Sequence, residues 1–180
     1  MGVIKEPQPV VPITGLIYTG DFDVEELYEH LVEHIGAVGL KSEPLPFTHT
    51  SYYNNEMGPG LTRQWLAFDA LIKPDELAAL KSWTNELEEK TLNDREGRMV
   101  NIDPGIVSLS SLILASTKNY SHRIYLSDGI YAEVTLIYKD NHFNYLEWTY
   151  PDYREKKALD FFSNVRELLK NNLKEIHDNQ

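Results

Sequence analysis

Ile13-Thr-Gly-Leu-Ile-Tyr18, then Asp21-Phe-Asp-Val-Glu-Glu-Leu-Tyr-Glu-His-Leu-Val-Glu-His-Ile35, sets a short apolar run against a helix-period pattern. The first segment reads as a buried strand ending at Gly20. In the second, Val24, Leu27, Tyr28, Leu31 and Ile35 fall on one stripe, and Asp21 or Asp23 stands where an N-cap belongs. Gly36 and Gly39 supply the stop. Residues 47–53 read as a strand, and the polar turn 54–60 leads to another over 61–72. Pro74 suits a first helical position, and Leu77, Leu80, Thr84 and Leu87 continue at helical spacing to about Leu92. Residues 98–102 return as a strand.

Strand, helix, strand, strand, helix, strand is the ferredoxin-like βαββαβ order, an antiparallel sheet with two helices on one face. Further on, Asp103-Pro104 reads as an N-cap and first-position proline opening a buried helix from Gly105 to about Ser116. Residues 122–127, 130–138 and 142–146 form a three-strand antiparallel meander. Its turns are Asp128-Gly129 and Asp140-Asn141. Residues 155–177 form an amphipathic C-terminal helix with Leu159, Phe162, Val165, Leu169, Leu173 and Ile176 inward. The expected class is therefore α+β, one domain over residues 1–180, with 1–12 as an extended arm.

The chain has 180 residues, 42% hydrophobic and 25% charged, which suits a globular domain with a substantial core. With no cysteine, disulfides, zinc-thiolate sites and thiol catalysis are excluded. No membrane-length apolar run and no signal-peptide pattern is present, so a cytoplasmic protein is expected. The net charge of -11 is uneven. Residues 1–97 carry 7 Lys+Arg against 17 Asp+Glu, residues 98–154 carry 5 against 6, and the rest 5 against 5. Such a field disfavours nucleic acid but leaves room for a cationic pocket in the near-neutral part.

Pairing through Asp128-Gly129 as a two-residue loop sets Ser127 against Ile130, Ile124 against Glu133 and His122 against Thr135. Alternation then puts His122, Ile124, Leu126, Tyr131, Glu133 and Thr135 on one face, with Arg123 and Tyr125 on the other. A tight turn at Asp140-Asn141 would bring Trp148 near Glu133. A carboxylate beside an imidazole can poise a general base or form a ligand pair, or can be a structural hydrogen bond. The first face is thus the expected centre of chemistry, and the second is expected to be structural.

Lys81, Asn85 and Glu88 share one stripe of their helix, read as a solvated face. His30 and His34 have the spacing of two metal ligands but stand among glutamates, and surface residues are expected rather than a metal site. Gly58-Pro59-Gly60 lacks the pattern of a dinucleotide fingerprint, and no Gly-x-x-x-x-Gly-Lys-Ser/Thr occurs. The expected helix start at Asp103-Pro104-Gly105 offers amides to an anion, with Asp103 itself a cap. Arg63, Arg98, Lys118, Arg123 and Arg154 are the cations that could meet a phosphate or carboxylate. Trp148-Thr-Tyr-Pro-Asp-Tyr-Arg154 offers either ring-stacking walls or a plug for the end of the core.

Thr50-Ser-Tyr-Tyr, Glu56-Met-Gly, Asn101-Ile-Asp-Pro-Gly, Leu114-Ala-Ser-Thr-Lys, His122-Arg-Ile-Tyr-Leu, Gly129-Ile-Tyr-Ala-Glu-Val-Thr-Leu and Trp148-Thr-Tyr-Pro-Asp-Tyr-Arg together resemble the bacterial family catalogued as domain of unknown function 4416. The resemblance covers nearly the whole chain and implies a single-domain protein, with no activity, cofactor or catalytic assignment to carry across. The residues themselves point to a small-molecule enzyme or ligand-processing domain acting on an anionic, phosphate- or nucleotide-like substrate. His122 would be base or ligand and Glu133 its partner, with Lys118, Arg123, Arg154, Arg63, Tyr131 and Trp148 around the substrate. The alternative is a non-enzymatic ligand- or protein-binding regulatory module. Cofactor and oligomeric state are left open.

Overall fold

In a computed structural model that describes residues 2–93 and 96–178, the chain is mixed α+β, built on a nine-stranded antiparallel sheet. Residues 2–8 are exposed and outside any helix or strand, and Val10 is already buried where it bridges Ile72. Strand β1 (Val11–Tyr18) is buried along its whole length, because both faces of the sheet are covered. Helix α1 (Val24–Ile35) follows, its start fixed by Asp23 Oδ1 accepting from the Glu25 and Glu26 amides at 3.1 and 3.4 Å. Its end is Gly36, at φ 123°, whose N–H reaches Val32 O.

Strands β2 (Val38–Lys41) and β3 (Leu45–Pro46) pair with opposite ends of β4 (Thr62–Phe68). A single helical turn, α2 (Asn54–Met57), precedes β4. A 3-10 turn at Pro74–Glu76 opens α3 (Leu77–Glu89), and β5 (Val100–Val107), β6 (Ser111–Ser116), β7 (Ile124–Ser127), β8 (Ile130–Lys139) and β9 (His142–Tyr145) follow. The order across the sheet is β2-β4-β1-β5-β6-β8-β7, with β9 on the far part of β8. Helices α1 and α3 seal one face over Leu16, Leu66, Phe68, Val100 and Ile102. The turn α4 (Pro151–Arg154) and long helix α5 (Lys156–Asp178) cover the other, over Val11, Ile13, Trp65, Val107, Leu136 and Phe143. Each of these fully buried aliphatic side chains contributes about 1.5–3 kcal/mol.

Four expectations fail. Residues 47–53 are not a strand: Pro44 and Pro46 end the pairing at β3, and Phe47 makes one further bond, N–H to Leu61 O at 2.8 Å. Gly39, read as a helix stop, lies in β2. The helix expected from Gly105 to Ser116 is instead a hairpin of β5 and β6, so Asp103 caps nothing. Both faces of these strands are covered, which erases the period-two alternation and leaves an apolar run that mimics a buried helix. Ser108 turns the hairpin, its Oγ accepting from the Ser110 and Ser111 amides. At the C-terminus, Ile176 is 40% exposed rather than inward.

A fifth difference decides the site. Asp128-Gly129 does form a left-handed pair, φ 51° and 79°, and Ser127 faces Ile130. Leu126, however, is a bulge, so Tyr125 faces Tyr131 and Ile124 faces Ala132. One extra residue transfers Arg123 from the expected opposite side to Glu133.

Candidate functional site

Strands β5 and β6 pair only over Gly105–Val107, whereas β6 stays on β8 as far as Ser116. Beyond Gly105 the sheet therefore forks. Ile102 lies at the opening, and its backbone groups are met by side chains of α3: Glu88 Oε1 accepts its N–H at 2.8 Å and Lys81 Nζ donates to its C=O at 2.8 Å. By alternation the nitrogen of Pro104 faces the same gap, where no ladder bond is needed, and this is how a proline sits in a central strand.

Lys81 and Glu88 of the stripe read as solvated are thus buried. Lys81 and Glu88 lie 3.7 Å apart, Glu88 Oε2 receives Arg98 Nη1 at 2.6 Å, and Arg98 forks onto Glu56 at 2.6 and 2.9 Å. Burial raises the Glu88 pKa, against the pull of Lys81, the Ile102 amide and Arg98. Glu56, nearer the surface, is lowered by the Arg98 hydrogen bond. Arg98 Nη1 also donates to Asn101 Oδ1 at 3.2 Å, which fixes the Asn101 amide.

Across the fork, Glu133 of β8 is 2% exposed. Its Oε2 is shared by His122 Nε2 at 3.0 Å and Arg123 Nε at 2.8 Å, while its Oε1 has no partner. Arg123 is held further by Ser116 Oγ, Lys118 O and Tyr150 Oη at 3.0, 2.9 and 2.7 Å. The phenol of Tyr150 is pushed up to about 12 by burial and by Glu133, with Arg123 opposing. His122 stacks between Tyr120 and Trp148, with ring centroids 6.0 and 5.1 Å away, and Trp148 Nε1 donates to Val134 O. Lys118 lies over the Tyr52 ring and donates to its hydroxyl at 3.1 Å. From β4, Arg63 binds Asp152 at 2.7 and 2.6 Å, and Asp103 stands 3.5 Å from its Nη1.

Two cavities meet here. One of about 470 Å³ is walled by Tyr120, His122, Trp148, Arg63 and Phe47, and one of about 200 Å³ enters the fork beside Asn101, Ser116, Thr117 and Glu88. Asp103, Lys118, Arg123, Glu133 and Tyr150 border both. Of the residues expected from sequence, His122, Glu133, Lys118, Arg123, Arg63 and Trp148 converge on this cleft. Arg154 and Tyr131 do not line it. Arg154 donates to Thr149 O and Glu147 O over the Tyr145 ring, and Tyr131 packs edge-on against Tyr125. The expectation that Arg123 stands on the face opposite Glu133 is overturned by the Leu126 bulge.

Asn101 and Asp103 were not expected to line a site, Glu88 was read as solvated, and Tyr150 entered only as one ring of the Trp148–Arg154 segment. A signal existed for the first two: polar residues at i and i+2 inside an apolar strand share one face. His34 stacks on Trp83 at 3.8 Å beside a separate groove between α1 and α3. Among the described residues no three His, Asp or Glu side chains are placed to hold a metal ion, and no helix is long and apolar enough to cross a membrane.

No curated protein and no solved structure matches the chain. A family model described as domain of unknown function (DUF4416) matches residues 8–169, the span that holds both cavities and every residue of the cleft. The chain is a member of the DUF4416 family.

Proposed function

We propose that the chain is a ligand-processing enzyme for a small anionic molecule, bound in the cleft at the sheet fork. The observation that carries this reading is Glu133, a buried carboxylate with one oxygen occupied by His122 and Arg123 and the other unoccupied beside a cavity. A buried polar atom without a partner calls for an explanation, and where it borders a cavity a ligand group can supply the missing bond. Glu133 orients His122 through Nε2, leaving Nδ1 as the free basic nitrogen. A proton taken there gives an imidazolium stabilised by the carboxylate. Lys118, which has no carboxylate partner among the described residues, receives the phosphate or carboxylate of the substrate. Arg123 and Arg63 are already neutralised by acids and position the walls. Trp148, Tyr120 and Tyr52 offer ring faces to a planar portion.

A regulatory ligand- or partner-binding role is the second reading, favoured by the partial exposure of Trp148, Tyr150 and Tyr120 at the cleft mouth. We also read the half from β1 to β5, with order β2-β4-β1-β5 and α1 and α3 on one face, as the ferredoxin-like βαββαβ unit with β3 added, and the protein as cytoplasmic. The test is thermal shift with inorganic phosphate, sugar phosphates, nucleoside monophosphates and dicarboxylic acids. Stabilisation by one class, abolished in Lys118→Ala, is expected, with turnover of that compound lost in His122→Ala. Stabilisation indifferent to both substitutions, or none from any class, overturns the reading. Binding lost in Lys118→Ala with no turnover in the unsubstituted protein replaces the enzyme by the regulatory module.

A further inference from the structure

The smaller cavity presents two orphaned polar atoms of opposite sense. Asn101 is 6% exposed, and its Oδ1 is taken by Arg98, so its Nδ2 is turned away from Arg98 and has no partner. Glu133 Oε2 is taken by His122 and Arg123, so its Oε1 has none either. Both residues line the same space of about 200 Å³. Most flanking charges are paired, Lys81 and Arg98 with Glu88 and Glu56 and Arg123 with Glu133, while Lys118 and Asp103 stand on the border shared with the larger cavity. What is left is one donor and one acceptor in a low-dielectric slot, which a charged group would enter only by shedding its hydration.

We infer that the fork cavity is the specificity pocket for a neutral group carrying both an N–H and a C=O, a carboxamide or ureido group. Its carbonyl accepts from Asn101 Nδ2 and its N–H donates to Glu133 Oε1. The inference deepens the proposed function and rests on it: the substrate is a molecule with an anionic group at Lys118 and a carboxamide-type head in the fork. The volume of about 200 Å³ holds such a head together with the atoms that join it to the anionic group. A site of this kind rejects an analogue that lacks one hydrogen-bonding partner, because a buried protein group is then left unpaired.

Side-chain and backbone NMR titrations with acetamide, N,N-dimethylacetamide and inorganic phosphate test this. Acetamide is expected to shift the Asn101 side-chain amide and to bind about tenfold more tightly than dimethylacetamide, which keeps the acceptor and loses the donor. Asn101→Asp, of the same size, is expected to weaken acetamide by a similar factor. Glu133→Gln, should Asn101→Asp misfold, is expected to narrow the preference for acetamide over dimethylacetamide. If the two amides bind alike, or no fork resonance moves because the slot holds water only, the inference is overturned. Phosphate shifting Lys118 under those conditions would leave the anionic-substrate reading standing. Acetamide held in the fork with no phosphate response would sink that reading and keep the pocket.

Discussion

Glu88 and Glu133 are two buried carboxylates on opposite sides of one fork, and they differ in how completely they are used. Glu88 has both oxygens engaged, Oε1 by Ile102 N–H with Lys81 nearby and Oε2 by Arg98. Glu133 has both of its partners on one oxygen and none on the other. A saturated acid fastens elements together: here it joins α3 to β5 and, through Arg98 and Glu56, to α2. A half-used acid is held in position and still has a bond to offer. Unsatisfied atoms distinguish the two acids where burial does not, since both are equally inside.

The sharpest way to break that comparison is to remove each acid and measure stability by urea unfolding. Glu88→Ala leaves Lys81 and Arg98 uncompensated and the Ile102 amide unpaired, and is expected to cost about 3–5 kcal/mol. Glu133→Gln keeps the shape and the bonds at Oε2 but takes the countercharge from buried Arg123, and is expected to cost about 1.5–3 kcal/mol, with the preference for acetamide over dimethylacetamide narrowed. Equal losses would mean that the two acids do the same work. The effect of Gly15→Ala is of similar size to the second. A Cβ there would collide with Tyr153 Oη and stand 3.1 Å from Arg63 Nη1, displacing the wall of the larger cavity at about 1–3 kcal/mol.

Deleting Leu126 probes the geometry. Without the extra residue the ladder runs regularly with Tyr125 on Tyr131, Ile124 on Ala132 and Arg123 still beside Glu133. Cross-strand NOEs should therefore keep Ile124 on Ala132, and stabilisation by the phosphate-type ligands should survive; an NOE from Ile124 to Glu133 would mean that the bulge does not set the register. The smallest effect is on pH dependence. Since burial raises the pKa of Glu88, the folded chain keeps its proton longer than the unfolded one. Stability from this group then falls as pH rises from the ordinary glutamate range through the raised value. Glu56, lowered by Arg98, has the opposite sign: its contribution is present above that range and fades as pH falls. Glu88→Gln should flatten only the first limb in urea midpoints taken between about pH 4 and 7.

Local rules made much of this legible. The cap at Asp23, the stripe of α1, the two left-handed turns and the amphipathic α5 all follow from spacing and turn chemistry. His122 does meet Glu133, but through a bulged register rather than the regular one expected. Where reading failed, the cause was tertiary. Strands β5 and β6 are covered on both faces and lose the alternation that betrays a strand, and Asp103-Pro104 then imitates a helix start. The Leu126 bulge leaves no mark in composition, yet it reverses the side on which Arg123 stands. Lys81 and Glu88 read as solvent-facing because the unpaired stretch of backbone they serve belongs to a strand far along the chain.

Pro104 gives the fork a further meaning. Two adjacent antiparallel strands tend to zip to their ends, since each added rung removes exposed backbone from water. Having no N–H, Pro104 is a stop on that zipper. It caps the β5–β6 seam at Gly105 and prevents the sheet from healing over its own cleft. The opening is thus written into the covalent chemistry of the backbone, so that the cavity stands ready before any occupant arrives.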